Sequence, residues 1–284
     1  MQEYMRMGRR ILDEGVWVEN KRTGKRCLTI IGETLVHDCS DGTVPVVTTK
    51  KLAWKSAIAE MLGYIRGYGS AAQFRELGCK TWDENANKNQ DWLNSPHRKG
   101  EDDMGLCYGV IGRAFPGVDG DPSIDLYKGV VEDLAAGKDN RREFLTFLHP
   151  NVTHRACLPA CMHTHQFSLL GNDLYIESYQ RSSDYALGQP FNHLQVAFLL
   201  MITAQITGNR AKGMRHHLTN VHLYEDQVEI FRNEQLPRTP FPLPKLRINP
   251  DIKSLNDLET WVTLDDIELV DYQHHPAIKY PFSV

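Results

Sequence analysis

A β-hairpin in the middle of the chain constrains the fold most strongly. Between residues 157 and 192, apolar, β-branched and aromatic residues stand on both sides of the turn signal Gly171-Asn172-Asp173. Two such runs joined by a short glycine-containing turn predict antiparallel strands. With the turn at Gly171, we expect Cys161 to lie opposite Arg181, within about two residues of register. The hairpin therefore predicts a thiol beside a guanidinium.

This pairing of side chains predicts a reactive cysteine. A nearby positive charge stabilises a thiolate, and a thiolate is a nucleophile. The alternative is that Cys161 is a buried structural residue, which is the commoner situation for a lone cysteine in a strand. Polar residues that follow in the hairpin and just after it favour a functional site; they are Gln180, Ser182, Asp184 and Asn192.

Length and composition indicate one globular domain. The chain has 284 residues, of which 41% are hydrophobic and 24% charged, and its formal net charge is −4. This balance is typical of a globular protein and does not indicate a large basic surface for nucleic acid. Because no repeat or linker is found, we expect a single domain over residues 1–284. Within it, residues 88–104 form a polar excursion.

Several classes of protein are not indicated by the sequence. The six cysteines form no CxxC pair and no disulfide framework, so we expect reduced thiols in a cytoplasmic protein. The first ten residues lack the apolar core of a signal peptide, and the longest apolar run, residues 196–206, is too short to span a bilayer. The histidine pairs lack the spacing of a zinc site, so no metal is expected.

Hydrophobic periodicity predicts a mixture of helices and strands. Helical spacing is found over residues 1–15, 52–67, 124–136, 191–206 and 225–233. Besides the hairpin, strands are expected over residues 28–35, 44–49, 143–148, 246–248 and 267–272.

Four charged residues are candidates for a site. Glu60 lies off the apolar stripe of its predicted helix, among small and aromatic positions, where a partly buried carboxylate has a raised pKa and serves as an acid or base. Arg22 lies in a basic turn that contains a glycine, and Arg141 and Arg142 are adjacent; both features suit a phosphate. For each of these groups, an ordinary solvated surface charge is the alternative.

A series of short motifs runs through the whole chain. In order they are Arg22-Thr23-Gly24, Thr48-Thr49-Lys50-Lys51, Ala59-Glu60-Met61-Leu62, Thr81-Trp82-Asp83-Glu84, Tyr108-Gly109, Arg141-Arg142, Leu158-Pro159-Ala160-Cys161, Tyr179-Gln180-Arg181-Ser182-Ser183-Asp184, Leu187-Gly188, Pro190-Phe191-Asn192, His222-Leu223-Tyr224 and the C-terminal Ile278-Lys279-Tyr280-Pro281-Phe282-Ser283-Val284. Any one of them is a weak signal. Together, in this order, they resemble the thymidylate synthase family.

The resemblance implies an architecture and a reaction. The fold is α+β, built on a large twisted sheet of mixed and mostly antiparallel strands with flanking helices. Two subunits form a homodimer in which their sheets pack back to back. The reaction is synthesis of dTMP from dUMP, with 5,10-methylenetetrahydrofolate as the co-substrate that supplies both carbon and hydride. No metal, membrane or obligatory nucleic acid takes part.

The resemblance also implies roles in catalysis. Cys161 attacks C6 of the uracil, and Arg181 stabilises its thiolate and contacts the phosphate. Glu60 organises water and relays protons, and Tyr108 assists removal of the C5 proton. Asn192 reads the O4 and N3–H edge of uracil, because an amide offers both a donor and an acceptor.

The remaining site residues follow from the same resemblance. Those expected to bind the nucleotide are Arg22, Gln180, Ser182, Asp184, His222 and Tyr224, together with Arg141 and Arg142 reaching from the partner subunit. Those expected to bind folate are Trp82, Asp184, Gly188 and Val284. The carboxylate of Val284 is expected to fold over the site and exclude water before hydride transfer.

Four residues depart from the common family pattern. Ala160 and Met162 flank Cys161 where a proline and a histidine are common, Asn85 replaces a tryptophan, and Asn220 replaces an aspartate.

Two alternatives to dTMP synthesis are compatible with parts of this pattern. A dUMP hydroxymethylase shares the cysteine attack and the folate but lets water capture the exocyclic methylene. Asn192 argues against a cytosine substrate without excluding that enzyme. A non-catalytic nucleotide- or RNA-binding homologue predicts loss of Cys161, Arg181 or Glu60, and all three are present.

Overall fold

The computed structural model describes residues 1–21 and 24–282. In chain order the helices are α1 (Gln2–Glu14), α2 (Trp54–Ile65), α3 (Ala71–Glu76), α4 (Asp83–Asn87), α5 (Gln90–Leu93), α6 (Gly109–Arg113), α7 (Leu126–Ala135), α8 (Gly188–Thr207), α9 (Glu225–Ile230) and α10 (Leu255–Thr260). The strands are β1 (Val16–Asn20), β2 (Lys25–Asp38), β3 (Phe144–Thr146), β4 (Met162–Leu170), β5 (Asp173–Asp184), β6 (Arg210–Tyr224), β7 (Lys245–Ile248) and β8 (Ile267–Val270).

Six of these strands form one mixed sheet with the order β1-β2-β6-β5-β4-β3. Strands β5 and β6 run parallel, and the other neighbours that pair in this sheet are antiparallel. A parallel pair needs a crossover connection, which α8 supplies. The expected α+β fold with a mixed sheet and flanking helices is therefore confirmed.

The crossover decides where the polar residues of the central stretch meet. Because β5 and β6 are parallel, their C-terminal ends lie at the same edge of the sheet, with Ser182 beside Asn220 and Asp184 beside His222. Helix α8 begins four residues after β5 ends, so Asn192 in its first turns lies at this edge too. Residues that are distant in sequence are thus brought to one end of the sheet.

The hairpin contains an irregularity that sets its register. Strands β4 and β5 pair regularly from Leu170 and Asp173 back to Thr164 and Tyr179. A bulge between Met162 and Thr164 then shifts the pairing, so that Met162 lies opposite Gln180. Such a bulge is typical of strands near active sites, because it re-aims the side chains beyond it.

Helix α8 is the centre of the core. Most of its residues are buried, because it packs between β5 and β6 on one side and α2 on the other. A helix buried on all sides is expected to be apolar, and α8 is so apart from a few buried polar residues such as Gln195. In residues 1–21 and 24–282 we find no helix long and apolar enough to cross a membrane.

The strand predicted over residues 44–49 is wrong. These residues are buried, but they pair with no neighbouring strand in the described chain. Pro45 has no N–H, and the N–H of Val46 bonds to the carbonyl of Val44 at 2.8 Å, which folds the segment back on itself. Burial alone made the segment look like a strand. Conversely, β6 was not predicted, although it is a long strand of the sheet.

The polar excursion over residues 88–104 packs onto the body of the protein. Trp92 of α5 and Met104 are buried, and the indole Nε1 of Trp92 donates to the carbonyl of Asp103 at 2.7 Å. Asn89 Nδ2 donates to the carbonyl of Cys157 at 2.9 Å. The excursion therefore supports the loop that leads to Cys161.

Candidate active site

A cavity of about 430 Å³ opens at the edge of the sheet where β5 and β6 end. Its size and its largely apolar wall with a few polar groups are typical of a small-molecule site. The residues that line it are Glu60, Tyr64, Thr81, Trp82, Asn85, Tyr108, Leu158, Cys161, Gln180, Ser182, Asp184, Leu187, Gly188, Phe191, Asn192, His222, Tyr224, Tyr280 and Phe282.

Cys161 and Arg181 meet as the hairpin predicts. The backbone N–H of Arg181 donates to the carbonyl of Cys161 at 2.9 Å, and Arg181 Nη2 lies 3.6 Å from Cys161 Sγ. The guanidinium is held by two carbonyls of the preceding loop, with Nε 3.0 Å from Ala160 O and Nη2 2.8 Å from Pro159 O. The loop thus fixes a permanent cation beside the sulphur.

Tyr108 contacts the backbone of Cys161. The backbone N–H of Cys161 donates to Tyr108 Oη at 2.8 Å, so the phenol keeps its own proton for donation into the cavity. Burial raises the pKa of Tyr108 well above its ordinary value, so this proton is retained at neutral pH. The ring stacks on Tyr64 with centroids 4.6 Å apart, which fixes its position.

Glu60 is buried on α2, and its carboxylate faces the cavity. Burial raises its pKa to about 7, while a hydrogen bond from Gln195 Nε2 at 2.6 Å and nearby donors on Tyr64, Thr81 and Trp82 limit the rise. The indole Nε1 of Trp82 has no partner in hydrogen-bonding geometry within the described chain. A carboxyl group that titrates near neutral pH suits acid and base catalysis.

The amide of Asn192 belongs to a hydrogen-bonded chain of side chains. Its Oδ1 accepts from Gln180 Nε2 at 3.0 Å, and its Nδ2 donates to Gln195 Oε1 at 3.0 Å. Each amide atom keeps one further bonding position for the cavity. Gln180 Oε1 is buried without a partner in the residues described, so it too has bonding capacity to spare.

Asp184 ends β5 and is anchored by three neighbouring residues. Its Oδ1 accepts from the backbone N–H groups of Ala186 and Leu187, both at 3.1 Å, and its Oδ2 accepts from Gln227 Nε2 at 3.2 Å. Burial raises its pKa, and the same donors and the charge of Lys50 lessen the rise. Gln227 Nε2 also donates to the carbonyl of Pro281 at 3.1 Å, which ties the C-terminal segment to this wall.

His222 and Tyr224 complete the wall from β6. Both are buried, and His222 Nδ1 lies 2.8 Å from Asn220 Oδ1. The amide oxygen of Asn220 thus serves as an acceptor for the imidazole, as a carboxylate would. Ser182 lies on the neighbouring strand level with Asn220, because β5 and β6 pair in parallel there.

Comparisons with known proteins agree with this geometry. The sequence model of the family described as "Thymidylate synthase" matches residues 2–284. Proteins named thymidylate synthase are similar over all 284 residues and over their own full lengths. The protein of Marinomonas sp. (strain MWYL1) is 59% identical, that of Shewanella piezotolerans 57% and that of Pasteurella multocida 56%.

The chain belongs to the thymidylate synthase family. Members of this family use methylenetetrahydrofolate as a co-substrate. In residues 1–21 and 24–282, no group of three or more His, Cys, Asp or Glu side chains is placed to hold a metal ion.

Two family positions expected at the phosphate lie away from this cavity. Arg141 and Arg142 are exposed, and in the part of the chain that is described neither lines the cavity. Their loop is fixed by Glu143, whose carboxylate accepts from the N–H groups of Asn140 and Arg142, both at 2.9 Å. Arg22 and Val284, which the family resemblance also places at the site, lie outside the described residues.

Of the residues that depart from the family pattern, Met162 lies in the core and Asn85 lies at the cavity. Met162 is fully buried, so it fills core volume beside Cys161. Asn85 lines the cavity, where it replaces an apolar wall by an amide.

Sequence reasoning missed several residues of the site. Gln195 and Gln227 each join two groups at the wall, and Tyr64, Thr81, Phe191, Tyr280 and Phe282 line it. One signal was available for Gln195, which is an uncharged polar residue inside an apolar helix and three positions after Asn192. A buried amide needs partners, and side chains three apart on a helix are neighbours.

Proposed function

We propose that this chain converts dUMP to dTMP, with 5,10-methylenetetrahydrofolate as the co-substrate that leaves as dihydrofolate. Family membership over the full length supports this reaction. The observation that carries it is the contact between Cys161 Sγ and the guanidinium of Arg181, 3.6 Å apart, with Cys161 lining a cavity that Glu60 and Asn192 also line.

Cys161 is the nucleophile in this proposal. Its thiolate adds to C6 of the uracil, and the electron pair of the C5=C6 bond becomes available at C5. Arg181 stabilises the thiolate and is exposed on its other side, where it is free to contact the phosphate of the nucleotide.

Glu60, Tyr108 and Asn192 handle the uracil ring. Asn192 has one donor hydrogen and one acceptor lone pair directed away from its glutamine partners, which suits O4 and N3–H of uracil. Glu60, with a pKa of about 7, exchanges protons through water near the ring, and the Tyr108 phenol assists removal of the C5 proton.

The nucleotide is held by both strands that end at the cavity. Gln180 and Ser182 of β5 and His222 and Tyr224 of β6 bind the base and the deoxyribose, with Asp184 at the boundary with folate. We assign the phosphate to Arg181, Arg22 and, across a homodimer, Arg141 and Arg142 of the second copy. The exposure of these two adjacent arginines away from their own cavity supports that sharing.

The folate lies against the apolar part of the wall. Trp82 and Gly188 border this region, and Asp184 offers a carboxylate to the pterin. When bound, the folate supplies the carbon and the hydride. Tyr280 and Phe282 already line the cavity, which supports closure of the C-terminal segment, with the carboxylate of Val284, over the bound ligands.

We also propose that residues 1–284 form a single domain that acts in the cytoplasm. One continuous hydrophobic core, which includes residues from α1 to Tyr280, supports a single domain. The free state of the six cysteines, five of them buried, supports a reducing compartment.

The test is the identity of the products. Purified protein with dUMP and methylenetetrahydrofolate is expected to yield dTMP and dihydrofolate in equal amounts. Chromatography measures the dTMP, and the rise in near-ultraviolet absorbance measures the dihydrofolate. Hydroxymethyl-dUMP with tetrahydrofolate instead would overturn the proposal in favour of a hydroxymethylase. Nucleotide binding without turnover would favour a non-catalytic homologue.

A further inference from the structure

Gln195 occupies a central position between two groups of the proposed reaction. It is fully buried on α8, one turn after Asn192. Its Oε1 accepts from Asn192 Nδ2 at 3.0 Å. Its Nε2 donates to Glu60 Oε2 at 2.6 Å and to the carbonyl of Ala57 at 3.1 Å. A single side chain thus joins the amide of Asn192 to the carboxylate of Glu60.

The orientation of the Asn192 amide depends on these neighbours. The two ends of an amide have nearly the same shape, so only hydrogen-bond partners distinguish one orientation from its 180° flip. Gln180 Nε2 presents a donor to one end of Asn192, and Gln195 Oε1 presents an acceptor to the other. A flipped Asn192 would set donor against donor and acceptor against acceptor.

The two glutamines are themselves fixed by backbone carbonyls, which can only accept. Gln195 Nε2 donates to the carbonyl of Ala57 as well as to Glu60, so its amide cannot flip without placing Oε1 against that carbonyl. Gln180 Nε2 donates to the carbonyl of Ser182 at 2.9 Å, which fixes that amide in the same way. Orientation is therefore transmitted from backbone carbonyls through two glutamines to Asn192.

We propose that Gln195 is a positioning residue that sets the choice of uracil over cytosine. The fixed Asn192 amide has an N–H for O4 and a lone pair for N3–H, which uracil satisfies. Cytosine carries an amino group at C4 and an unprotonated N3, so it needs the flipped amide. Gln195 makes the flip costly, because it would leave a buried polar pair unsatisfied. This inference rests on the proposed function, in that Asn192 reads the base.

The experiment compares nucleotide binding rather than turnover. Dissociation constants for dUMP and dCMP are measured by calorimetry on the full chain without folate. In Gln195→Leu the amide of Asn192 loses its partner on one side, so we expect the preference for dUMP over dCMP to fall by about tenfold or more. Gln195→Met, which keeps an unbranched side chain in the apolar helix, is expected to do the same and provides a second folded variant.

The matched control is Gln205→Leu on the same helix. Gln205 Nε2 donates to the carbonyls of Asn249 and Ile252, both at 2.8 Å, and its side chain is away from the residues that line the cavity. This variant loses two partly buried hydrogen bonds but is expected to keep the ratio of the dUMP and dCMP dissociation constants.

The outcomes separate positioning from a general structural role. If both Gln195 variants bind dUMP and dCMP more weakly by the same factor, so that the ratio is unchanged, Gln195 only supports the fold and the inference is wrong. If the ratio falls as expected but the unsubstituted chain forms no dTMP, the positioning role stands and the proposed reaction fails.

Discussion

The six cysteines differ in what surrounds each sulphur, and this difference selects Cys161. Burial raises the pKa of Cys39 to about 12 and that of Cys27 to about 11, and it also raises the pKa of Cys107, so these thiols stay protonated. Cys161 is partly exposed, lines the cavity and contacts a guanidinium. Cys157 is buried, and its carbonyl accepts from Asn89 Nδ2, which suits a structural role.

Replacing Cys161 with serine is expected to remove the nucleophile. A hydroxyl does not ionise near neutral pH, so we expect dTMP formation by Cys161→Ser to fall by on the order of 10³-fold or more, with dUMP affinity largely kept. The initial rate and the dissociation constant for dUMP measure this. Cys157→Ser is the matched control and is expected to keep most of the activity. The assignment is wrong if Cys157→Ser is the inactive variant or if Cys161→Ser turns over normally.

The raised pKa of Glu60 predicts a pH-dependent stability. Its pKa is 4.5 in ordinary surroundings and about 7 in the folded protein. As the pH rises between these values, the unfolded chain releases the proton while the folded protein retains it, so Glu60 increasingly lowers the free energy of unfolding. As the pH is raised from about 5 to about 8, we therefore expect the free energy of unfolding of Glu60→Gln to increase by on the order of 3 kcal/mol relative to that of the unsubstituted chain.

Urea unfolding at fixed protein concentration measures this gain, since the stability of an oligomer depends on concentration. Glu76→Gln, which replaces an exposed glutamate on α3, provides the baseline. If the free energies of unfolding of Glu60→Gln and the unsubstituted chain differ by the same amount at every pH in this range, Glu60 does not titrate there.

At the scale of elements, the approach of α6 to α2 positions Tyr108. Tyr108 precedes α6 and has a φ of 40°, a backbone conformation that residues other than glycine rarely adopt. Gly109 follows, and a Cβ at this position would collide with the backbone of Tyr64 in α2. Close contact of the two helices thus requires a glycine and holds the phenol of Tyr108 at the backbone of Cys161.

Two glycine substitutions test this contact. Gly109→Ala is expected to push α6 away from α2, with a loss of about 1–3 kcal/mol in stability and a fall in the rate of dTMP formation as Tyr108 moves. Gly129→Ala on α7 is the control, because nothing lies within 4 Å of its added Cβ. It is expected to stabilise the protein by about 0.5–1 kcal/mol with unchanged activity, since alanine favours a helix. Thermal unfolding and initial rates measure both, and equal behaviour of the two variants would refute the role of Gly109.

At the scale of the whole molecule, we propose that a second copy of the chain completes the site. Arg141 and Arg142 are exposed and away from the cavity of their own subunit, where the phosphate of dUMP is expected. The sheet also has exposed apolar residues on its strands, among them Ile31 and Val36 of β2 and Tyr179 of β5. Exposed apolar surface of this kind is typical of a subunit interface.

Mixed dimers test the sharing of the phosphate site. One chain carries Cys161→Ser and the other Arg141→Ala with Arg142→Ala, and each is expected to be inactive alone. After unfolding and refolding an equal mixture, we expect about a quarter of the unsubstituted activity, because about half of the dimers are mixed and each has one complete site. The mixed dimers can be isolated by giving the two chains different affinity tags. If they show no activity, the arginines are not shared across subunits.

The extent of prediction from sequence differed between parts of the molecule. Local patterns were sufficient for the hairpin, for the helices over residues 1–15 and 52–67, and for the burial of Glu60, because turn residues and periodicity act within a few positions. They failed for residues 44–49, where burial was mistaken for a strand, and for β6, whose pairing partners β2 and β5 are distant in the chain.

The sequence by itself determined that Cys161 and Arg181 face each other, since a two-residue turn and strand alternation fix that pairing to within a short range. The tertiary structure alone decided the bulge that sets the final register, the parallel pairing of β5 and β6, and the chain of amides from Gln180 through Asn192 and Gln195 to Glu60. These features depend on which backbone carbonyls and side chains meet after folding, and no local pattern in the sequence specifies that.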